Sequence, residues 1–213
     1  MERVDPFDPG RQPSGRSPAP GRLGLVQAFV NSFWDLDGGG VDAWAGVDGY
    51  RRWLADRGFA GATAAGGGDR SRAVELREAL RALARRHHDE PADARDAPEL
   101  PVLDALAQRA PVHLRFGAEA DGARARHEAA GEGADAALAL VLGVVAEAMA
   151  DGTWSRMKAC PGPHCGWVFY DGSRNRSRQW CSMQLCGNRV KGREFRARQR
   201  QSTGATDALR RRI

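Results

Sequence analysis

The sequence is poor in aromatic residues, in long apolar runs and in lysine. Aromatic side chains make up 7% of the 213 residues and alanine occurs 36 times. The core must therefore consist mainly of alanine, leucine and valine, which favours helices over sheets. The longest apolar run, residues 136–150, is interrupted by Gly143 and Glu147 and is too short to span a bilayer. Residues 1–22 lack the apolar stretch of a signal peptide, so we expect a cytoplasmic protein.

Charge is distributed unevenly along the chain, although the net charge is only +5. Residues 156–213 contain 14 basic and 3 acidic side chains, a balance of +11. Residues 1–155 contain 18 basic and 24 acidic side chains, a balance of −6. A mildly acidic body with a strongly basic C-terminal quarter is typical of an attached module that binds a polyanion.

Helical periodicity dominates the first three quarters of the sequence. Residues 1–22 form a Pro/Gly/Arg tail with little to bury, and we predict that they are disordered. Alternation over residues 112–116 predicts a half-buried strand, and Asp121-Gly122 predicts a turn into a weak partner strand ending near residue 127. Asp69 is a suitable helix N-cap. Apolar residues at helical spacing predict helices over residues 23–34, 49–57, 69–88, 100–108 and 134–150.

All four cysteines lie within 27 residues near the C-terminus, at the spacing C-x4-C-x15-C-x4-C. Two short-spaced pairs on turns supply the four thiolates that a structural zinc ion requires. The alternatives are disulfides, a redox-active pair or four unpaired structural thiols, but no secretion signal and no C-x-x-C is present. His164 is an alternative zinc ligand to Cys165. The predicted ligands of one structural Zn²⁺ are Cys160, Cys165, Cys181 and Cys186.

The residues around the cysteines indicate the architecture of the zinc module. Residues 167–170 predict a strand between the two pairs, and Ser182 is a candidate N-cap for a helix that follows. Four thiolates close the zinc coordination shell, which excludes zinc-based catalysis at this site. The whole chain is therefore expected to be mainly α with a small β-hairpin (α+β): a helical N-terminal domain followed by a C-terminal tetracysteine zinc finger of the knuckle–hairpin–helix type.

Residues 165–180, together with residues 186–189 (Cys-Gly-Asn-Arg), resemble the CGNR zinc finger, a bacterial module named for those four residues. In that family a helical domain called ABATE, described as a stress-induced transcription regulator, precedes the finger. Residues 29–32 (Phe-Val-Asn-Ser) resemble the start of that domain. Residues 151–154 (Asp-Gly-Thr-Trp) and 156–160 (Arg-Met-Lys-Ala-Cys) resemble its junction with the finger.

The resemblance implies a domain organisation and a function. It implies an ABATE-like regulatory domain over residues 23–152 and a CGNR-type finger over residues 153–201, followed by a basic flexible tail over residues 202–213. The sequence departs from the family pattern at Gly172, where threonine or serine is expected. A family with these two domains implies a DNA-binding transcription regulator.

Basic side chains near the cysteines form a loop group and a helix group. A helix predicted from Asn188 to about Gln201 places four arginines at i, i+4, i+7 and i+11 on one stripe. Arginine grips phosphate and reads guanine bidentately, so such a stripe suits a DNA groove. We expect Trp180, Val190 and Phe195 to pack this helix onto the zinc hairpin. The candidate DNA contacts are Arg174, Asn175, Arg176, Arg178, Asn188, Arg189, Lys191, Arg193, Arg196 and Arg200.

Each of these assignments has a structural alternative. The arginine stripe is also what a solvated charged helix face looks like, and Asn188 is equally suited to capping the backbone beside its neighbouring glycine. Asn31, Trp34 and Asp35 suit either a ligand pocket or helix capping and packing. His87 and His88 are expected at the surface, because no carboxylate lies near them at metal-ligand spacing.

The sequence contains no Ser/His/Asp or Cys/His constellation and no carboxylate pair placed for acid–base catalysis, so we expect no enzyme. The favoured function is a regulator whose finger binds double-stranded DNA. Its helical domain would sense an unidentified small-molecule effector, form a homodimer, or do both. Such a protein would be cytoplasmic, and nucleoid-associated when bound to DNA. The alternative function is a protein-interaction adaptor whose finger docks an acidic partner without binding DNA.

Overall fold

A computed structural model of the chain describes residues 5–12, 16–34, 40–88, 97–119 and 122–210. Within these residues, helices alternate with three two-stranded antiparallel sheets, so the expected α+β class is confirmed. The elements are α1 (Leu23–Val30), β1 (Phe33–Trp34), β2 (Val41–Asp42), α2 (Val47–Asp56), α3 (Gly67–Arg86), α4 (Glu99–Ala107), β3 (Val112–Glu119), β4 (Gly122–Ala129), α5 (Gly133–Ala150), β5 (Met157–Ala159), β6 (Val168–Tyr170) and α6 (Asn188–Arg210). Short 3-10 turns lie at Ala62–Ala64 and Trp154–Arg156, and a π-helical turn lies at Met183–Gly187.

Helix α5 lies at the centre of the core, because apolar residues cover most of its circumference. It contacts α1, α3, α4 and the β3-β4 hairpin. Helix α5 starts before the apolar run at residues 136–150 and, at 18 residues, is long and apolar enough to cross a membrane, contrary to the expectation from that run; it is nevertheless mostly buried in this core, as in the central helix of a globular domain. Beside α1, the rings of Phe29, Trp44, Tyr50 and Trp53 meet edge to face at 5.0–5.6 Å between centroids.

The end of α1 and the start of α3 differ from the sequence prediction. Helix α1 stops at Val30 rather than at Trp34, because Phe33–Trp34 pair with Val41–Asp42 as a short strand. At the start of α3, Gly66 occupies the N-cap position and Asp69 lies one turn inside the helix. The Asp69 carboxylate accepts the backbone N–H of Gly66 at 2.6 Å, so Asp69 caps the helix from within and the prediction that it is the N-cap residue is wrong.

The β3-β4 hairpin forms where it was predicted, but β3 is not half-buried. Leu114 is 60% exposed and Phe116 is 79% exposed. The base of the hairpin rests on α5, where a Cβ added to Gly143 would lie 2.7 Å from the Cβ of His127. Farther out, no second layer of the described fold covers the apolar face. The expected turn residue Asp121 lies outside the described residues.

The N-terminal segment is packed against the fold rather than disordered over residues 5–12 and 16–22. Phe7 packs against the core, and Arg22 forms an ion pair of 2.7 Å with Glu147 of α5. The backbone N–H of the buried Ala19 donates to Gln27 at 2.7 Å. The prediction failed because the segment binds through a few anchored side chains rather than through a periodic apolar face. Residues 1–4 and 13–15 lie outside the described residues.

Helix α6 continues to Arg210, beyond the predicted end near Gln201. Residues 202–210, predicted as part of a flexible tail, are therefore helical. This stretch contains no proline, and its single glycine weakens a helix without breaking it. Residues 211–213 lie outside the described residues.

Candidate zinc centre and nucleic-acid surface

The four cysteines form one buried cluster, with their Sγ atoms all within 4.8 Å of one another. The Sγ atom of Cys181 lies 3.6 Å from that of Cys165 and 3.7 Å from that of Cys186. A tetrahedral zinc ion with Zn–S bonds of about 2.3 Å places its sulfur ligands about 3.8 Å apart. A disulfide would require an S–S distance near ~2.05 Å, and all four thiols are free. The cluster therefore fits one structural zinc ion.

The first pair of ligands is held by the β5-β6 hairpin. Cys160 follows β5 directly, and its backbone N–H donates to the carbonyl of Trp167 at 2.8 Å. The backbone N–H of Cys165 donates to Gly162 at 3.0 Å and closes the knuckle. His164 points away from the cluster as an exposed residue, so the ligand at this knuckle is Cys165.

The second pair of ligands is held by the π-helical turn that precedes α6. Ser182 caps this turn as predicted, since its Oγ accepts the backbone N–H of Leu185 at 3.4 Å. A Cβ at Gly187 would lie 2.3 Å from the Sδ of Met183 and 3.1 Å from the ring of Trp180. A side chain between Cys186 and α6 would therefore have to displace the Met183 side chain and would crowd the Trp180 ring.

The thiol groups are not equivalent. The thiols of Cys160 and Cys165 and the Arg16 guanidinium interact with the Cys181 sulfur, and together they lower the pKa of Cys181. Burial and the negative charge of Cys181 raise the pKa of Cys186. Zinc coordination deprotonates the thiols it binds, so the bound site carries four thiolates.

A buried ion pair organises the arginine loop, residues 171–180, which carries Arg174, Arg176 and Arg178. Lys158 Nζ lies 2.9 Å from Asp171 Oδ2 and donates to the carbonyl of Arg176 at 2.5 Å. The same carboxylate accepts the backbone N–H of Arg178 and both donors of Ser173. Burial alone would raise the pKa of Asp171, but these hydrogen bonds lower it to about 2, so the carboxylate is ionised. The arginine loop is thus fixed from beneath.

Two arginines of the arginine loop form hydrogen bonds within the finger itself. Arg178 donates to the carbonyls of Trp180 and Cys181, at 3.0 and 2.6 Å, and lies over the ring of Phe169. Arg176 donates to the Ser155 hydroxyl at 3.0 Å. Arg174 and Asn175 are exposed at the tip of the loop.

Helix α6 projects from the finger with its basic stripe in solvent. The members of the stripe and their neighbours are all exposed: Asn188, Arg189, Lys191, Arg193, Arg196 and Arg200. Trp180 packs against the cysteine cluster, and Val190 is half-buried. Phe195 is 56% exposed, so the prediction that it packs the helix onto the hairpin is wrong. The helix leaves the module within its first turn, before Phe195 can reach the hairpin.

The finger is docked on the helical domain through backbone atoms of its hairpin. Asn31, which follows α1, accepts the N–H of Val168 and donates to its carbonyl, both at 2.8 Å. The rings of His87 and His88 donate to the carbonyls of Met157 and Ala159, at 2.6 and 2.7 Å. The expected surface positions of both histidines are therefore wrong. Asn31 has a docking role, and Asp35 lies outside the described residues.

Sequence reasoning missed this docking set and also missed Arg81. The Arg81 guanidinium is buried and donates to the carbonyls of Val30, Phe33 and Gly166. Burial lowers the pKa of Arg81, and an ion pair with Glu78 compensates the charge. The local signal was that Arg77 and Arg81, four residues apart, interrupt the apolar face of α3.

The fold and site define a class of protein: a helical domain carrying a docked tetracysteine zinc finger. Two family models match the chain. The ABATE model, described as "putative stress-induced transcription regulator", matches residues 23–152, and the CGNR zinc finger model matches residues 156–199. Because the first match covers more than half of its length, the chain belongs to the ABATE family, and it carries the CGNR finger at its C-terminal end. No curated protein matches the chain significantly.

The matched families agree with the arrangement that the sequence resemblance implied. Both are of regulator or zinc finger type, and neither is an enzyme family. The four cysteines of the cluster are the ligands that the finger offers to its zinc ion.

Proposed function

We propose that this protein is a DNA-binding transcription regulator without enzymatic activity. In this proposal the finger, residues 153–201, contacts double-stranded DNA. The helical domain, residues 23–152, senses an effector or forms a homodimer. The protein would act in the cytoplasm and join the nucleoid when bound to DNA. The observation that carries the proposal is the exposed arginine stripe on α6, next to a preorganised arginine loop.

Charge and geometry support the finger as the DNA contact. Residues 156–213, which contain nearly all of the finger and the chain that follows it, have a balance of +11, against −6 for residues 1–155, so a polyanion is attracted to the C-terminal quarter. A straight helix fits the major groove, and the stripe of Arg189, Arg193, Arg196 and Arg200 runs along one side of it. Lys191 and Asn188 flank the stripe, and Arg174, Asn175 and Arg176 lie on the neighbouring loop. Arg178 would add charge from a fixed position.

The experiment measures binding of the zinc-loaded full chain to duplex DNA at several salt concentrations. If the stripe and loop neutralise on the order of 4–6 phosphates, log K should fall against log salt with a slope of about −4 to −5. Arg193→Ala and Arg196→Ala should each weaken binding. Selection from a random-duplex pool then identifies the preferred sequence.

Arg198→Ala is the matched control, because Arg198 is exposed on α6 but lies outside the stripe. A phosphate contact, when removed, should weaken all sequences alike and reduce the slope by about one, whereas a base contact should relax preference at one position by ~1–3 kcal/mol. Equal losses at residues 193, 196 and 198 would contradict a positioned helix. Indifference to DNA, with stable binding of an acidic protein, would indicate the adaptor function instead.

A further inference from the structure

An arginine from the N-terminal segment closes over the cysteine cluster. Arg16 is only 3% exposed, and its Nε donates to the Sγ of Cys181 at 3.3 Å. Its guanidinium lies over the Trp167 ring, 4.6 Å from the ring centroid. The segment is anchored next to this contact, since Gln27 of α1 accepts the N–H of Ala19 at 2.7 Å and donates to the carbonyl of Val168 at 3.2 Å.

The charge of the zinc site gives this arginine a purpose. A zinc ion with four thiolate ligands carries a net charge of about −2. The four cysteines are buried, and an uncompensated charge in such surroundings is strongly unfavourable. Arginine stays protonated in proteins, so its guanidinium supplies a permanent countercharge. Of the neighbouring cations, Lys158 is bound to Asp171 and Arg178 to backbone carbonyls, whereas Arg16 contacts a ligand sulfur.

We propose that Arg16 is a positioning residue of the zinc centre and that the N-terminal segment covers the finger through it. The guanidinium withdraws charge from the Cys181 thiolate and blocks access to it, which slows attack by electrophiles and retains the metal. Groups that hydrogen-bond to metal ligands typically change metal affinity by about 10–100-fold when they are removed. The part of the chain predicted to be disordered thereby becomes part of the metal site.

The test uses the zinc-loaded full chain and iodoacetamide, which forms a carbon–sulfur bond and releases iodide. Zinc release is followed with a chromogenic chelator, and peptide mass spectrometry identifies the first alkylated cysteine. Arg16→Gln should release zinc about tenfold faster than the wild type, with Cys181 alkylated first. Arg16→Lys, which keeps the charge but loses the planar stacking on Trp167, should fall between the two.

Arg11→Gln is the matched control, because Arg11 is an exposed arginine of the same segment. It should release zinc at the wild-type rate. Wild-type release rates in both Arg16 variants, or an unchanged order of cysteine alkylation, would overturn the proposal. If Arg16→Gln does not fold, the order and rate in Arg16→Lys decide the outcome. The readout contains no DNA, so it is independent of the proposed DNA binding.

Discussion

At the scale of single residues, the pair Lys158–Asp171 links the two halves of the finger. Lys158 is 3% exposed and Asp171 is fully buried. The lysine belongs to β5, and the aspartate begins the loop that contains Arg176 and Arg178. Beyond the ion pair itself, the Lys158 ammonium donates to backbone carbonyls of this loop, and the Asp171 carboxylate accepts hydrogen bonds from it. The ion pair therefore acts on loop geometry as well as on stability.

Replacement of Asp171 by asparagine should destabilise the protein by about 3–5 kcal/mol, because it leaves Lys158 charged and unpaired in a buried site. Urea unfolding of the zinc-loaded protein measures the change. Asp151→Asn is the control, since Asp151 is exposed and its carboxylate accepts hydrogen bonds from the neighbouring Thr153. That variant should lose less than about 1 kcal/mol. A similar loss in both variants would show that the buried pair has no special role.

His87 should make the stability of the protein depend on pH. Burial lowers the pKa of His87 below 6.5, and the neighbouring charges of Lys158 and His88 act in the same direction, although the hydrogen bond to Met157 opposes them. Between pH 6.5 and the lower folded pKa, His87 is protonated in the unfolded chain but neutral in the folded protein. The free energy of unfolding therefore falls as pH drops from 6.5 through the lower, folded pKa.

His87→Gln should remove part of this pH dependence, because the amide stays neutral. The free energy of unfolding is measured in urea at about pH 7 and about pH 5.5 for the wild type and the variant. His164→Gln, which removes an exposed histidine, is the control and should keep the wild-type difference. An equal difference in all three proteins would refute the role of His87.

At the scale of elements, the β3-β4 hairpin and α5 both have a periodic apolar pattern, but only the apolar residues of α5 are mostly buried. Both have apolar residues at the period of their own secondary structure. Helix α5 is covered on most sides by neighbouring elements, whereas the hairpin meets α5 mainly along part of β4. Periodicity thus predicts which face of an element is apolar, but the neighbouring layers decide whether that face is buried.

Phe116→Ala should therefore change the free energy of unfolding by less than about 0.5 kcal/mol, since the ring is already in solvent. The matched variant is Phe169→Ala in β6, where the ring is fully buried and lies beneath Arg178. That change should cost about 3–5 kcal/mol. Chemical denaturation compares the two. A large loss at Phe116 would mean that another surface covers the hairpin, and sedimentation would then test for a homodimer.

Local patterns predicted much of the fold and of the site. The helices α3 and α5 were found from apolar spacing, and the four zinc ligands from the cysteine spacing, because both signals lie within one short stretch of chain. The contacts of Arg16 and His87 could not be found in this way. Their partners are 165 and 70 residues away in the sequence, and each is a single polar group without a repeating pattern.

At the scale of the whole molecule, the helical domain and the finger share one hydrophobic core. Met157, Ala159 and Val168 of the finger belong to the same buried cluster as Leu25 and Leu138. The cysteines, Trp167 and Phe169 form a second cluster on the other side of the β5-β6 hairpin. The β5-β6 hairpin therefore contributes side chains to both clusters. Because it packs against the helical domain on one side and the cysteines on the other, the two parts are expected to unfold together.

Removal of zinc with a chelator should lower the melting temperature of the entire chain by at least about 5 °C, given roughly 2–4 °C per kcal/mol at this size. Far-ultraviolet circular dichroism and tryptophan fluorescence should report one coincident transition. Cys186→Ser should reproduce the effect, and adding zinc back should reverse it only in the wild type. Two separate transitions, with the helical one unchanged by chelation, would show that the parts are independent.

Four side chains of the helical domain make polar docking contacts with the finger, and each of these contacts is to a main-chain atom of the finger. The four are Asn31, Arg81, His87 and His88. Carbonyl and amide groups are common to every amino acid other than proline, so these contacts place no demand on side-chain identity along β5 and β6. The finger can therefore diversify its outward-facing residues while it keeps its seat. Substitutions at the exposed residues of α6 and of the loop before Cys181 are therefore expected to leave these docking contacts unchanged.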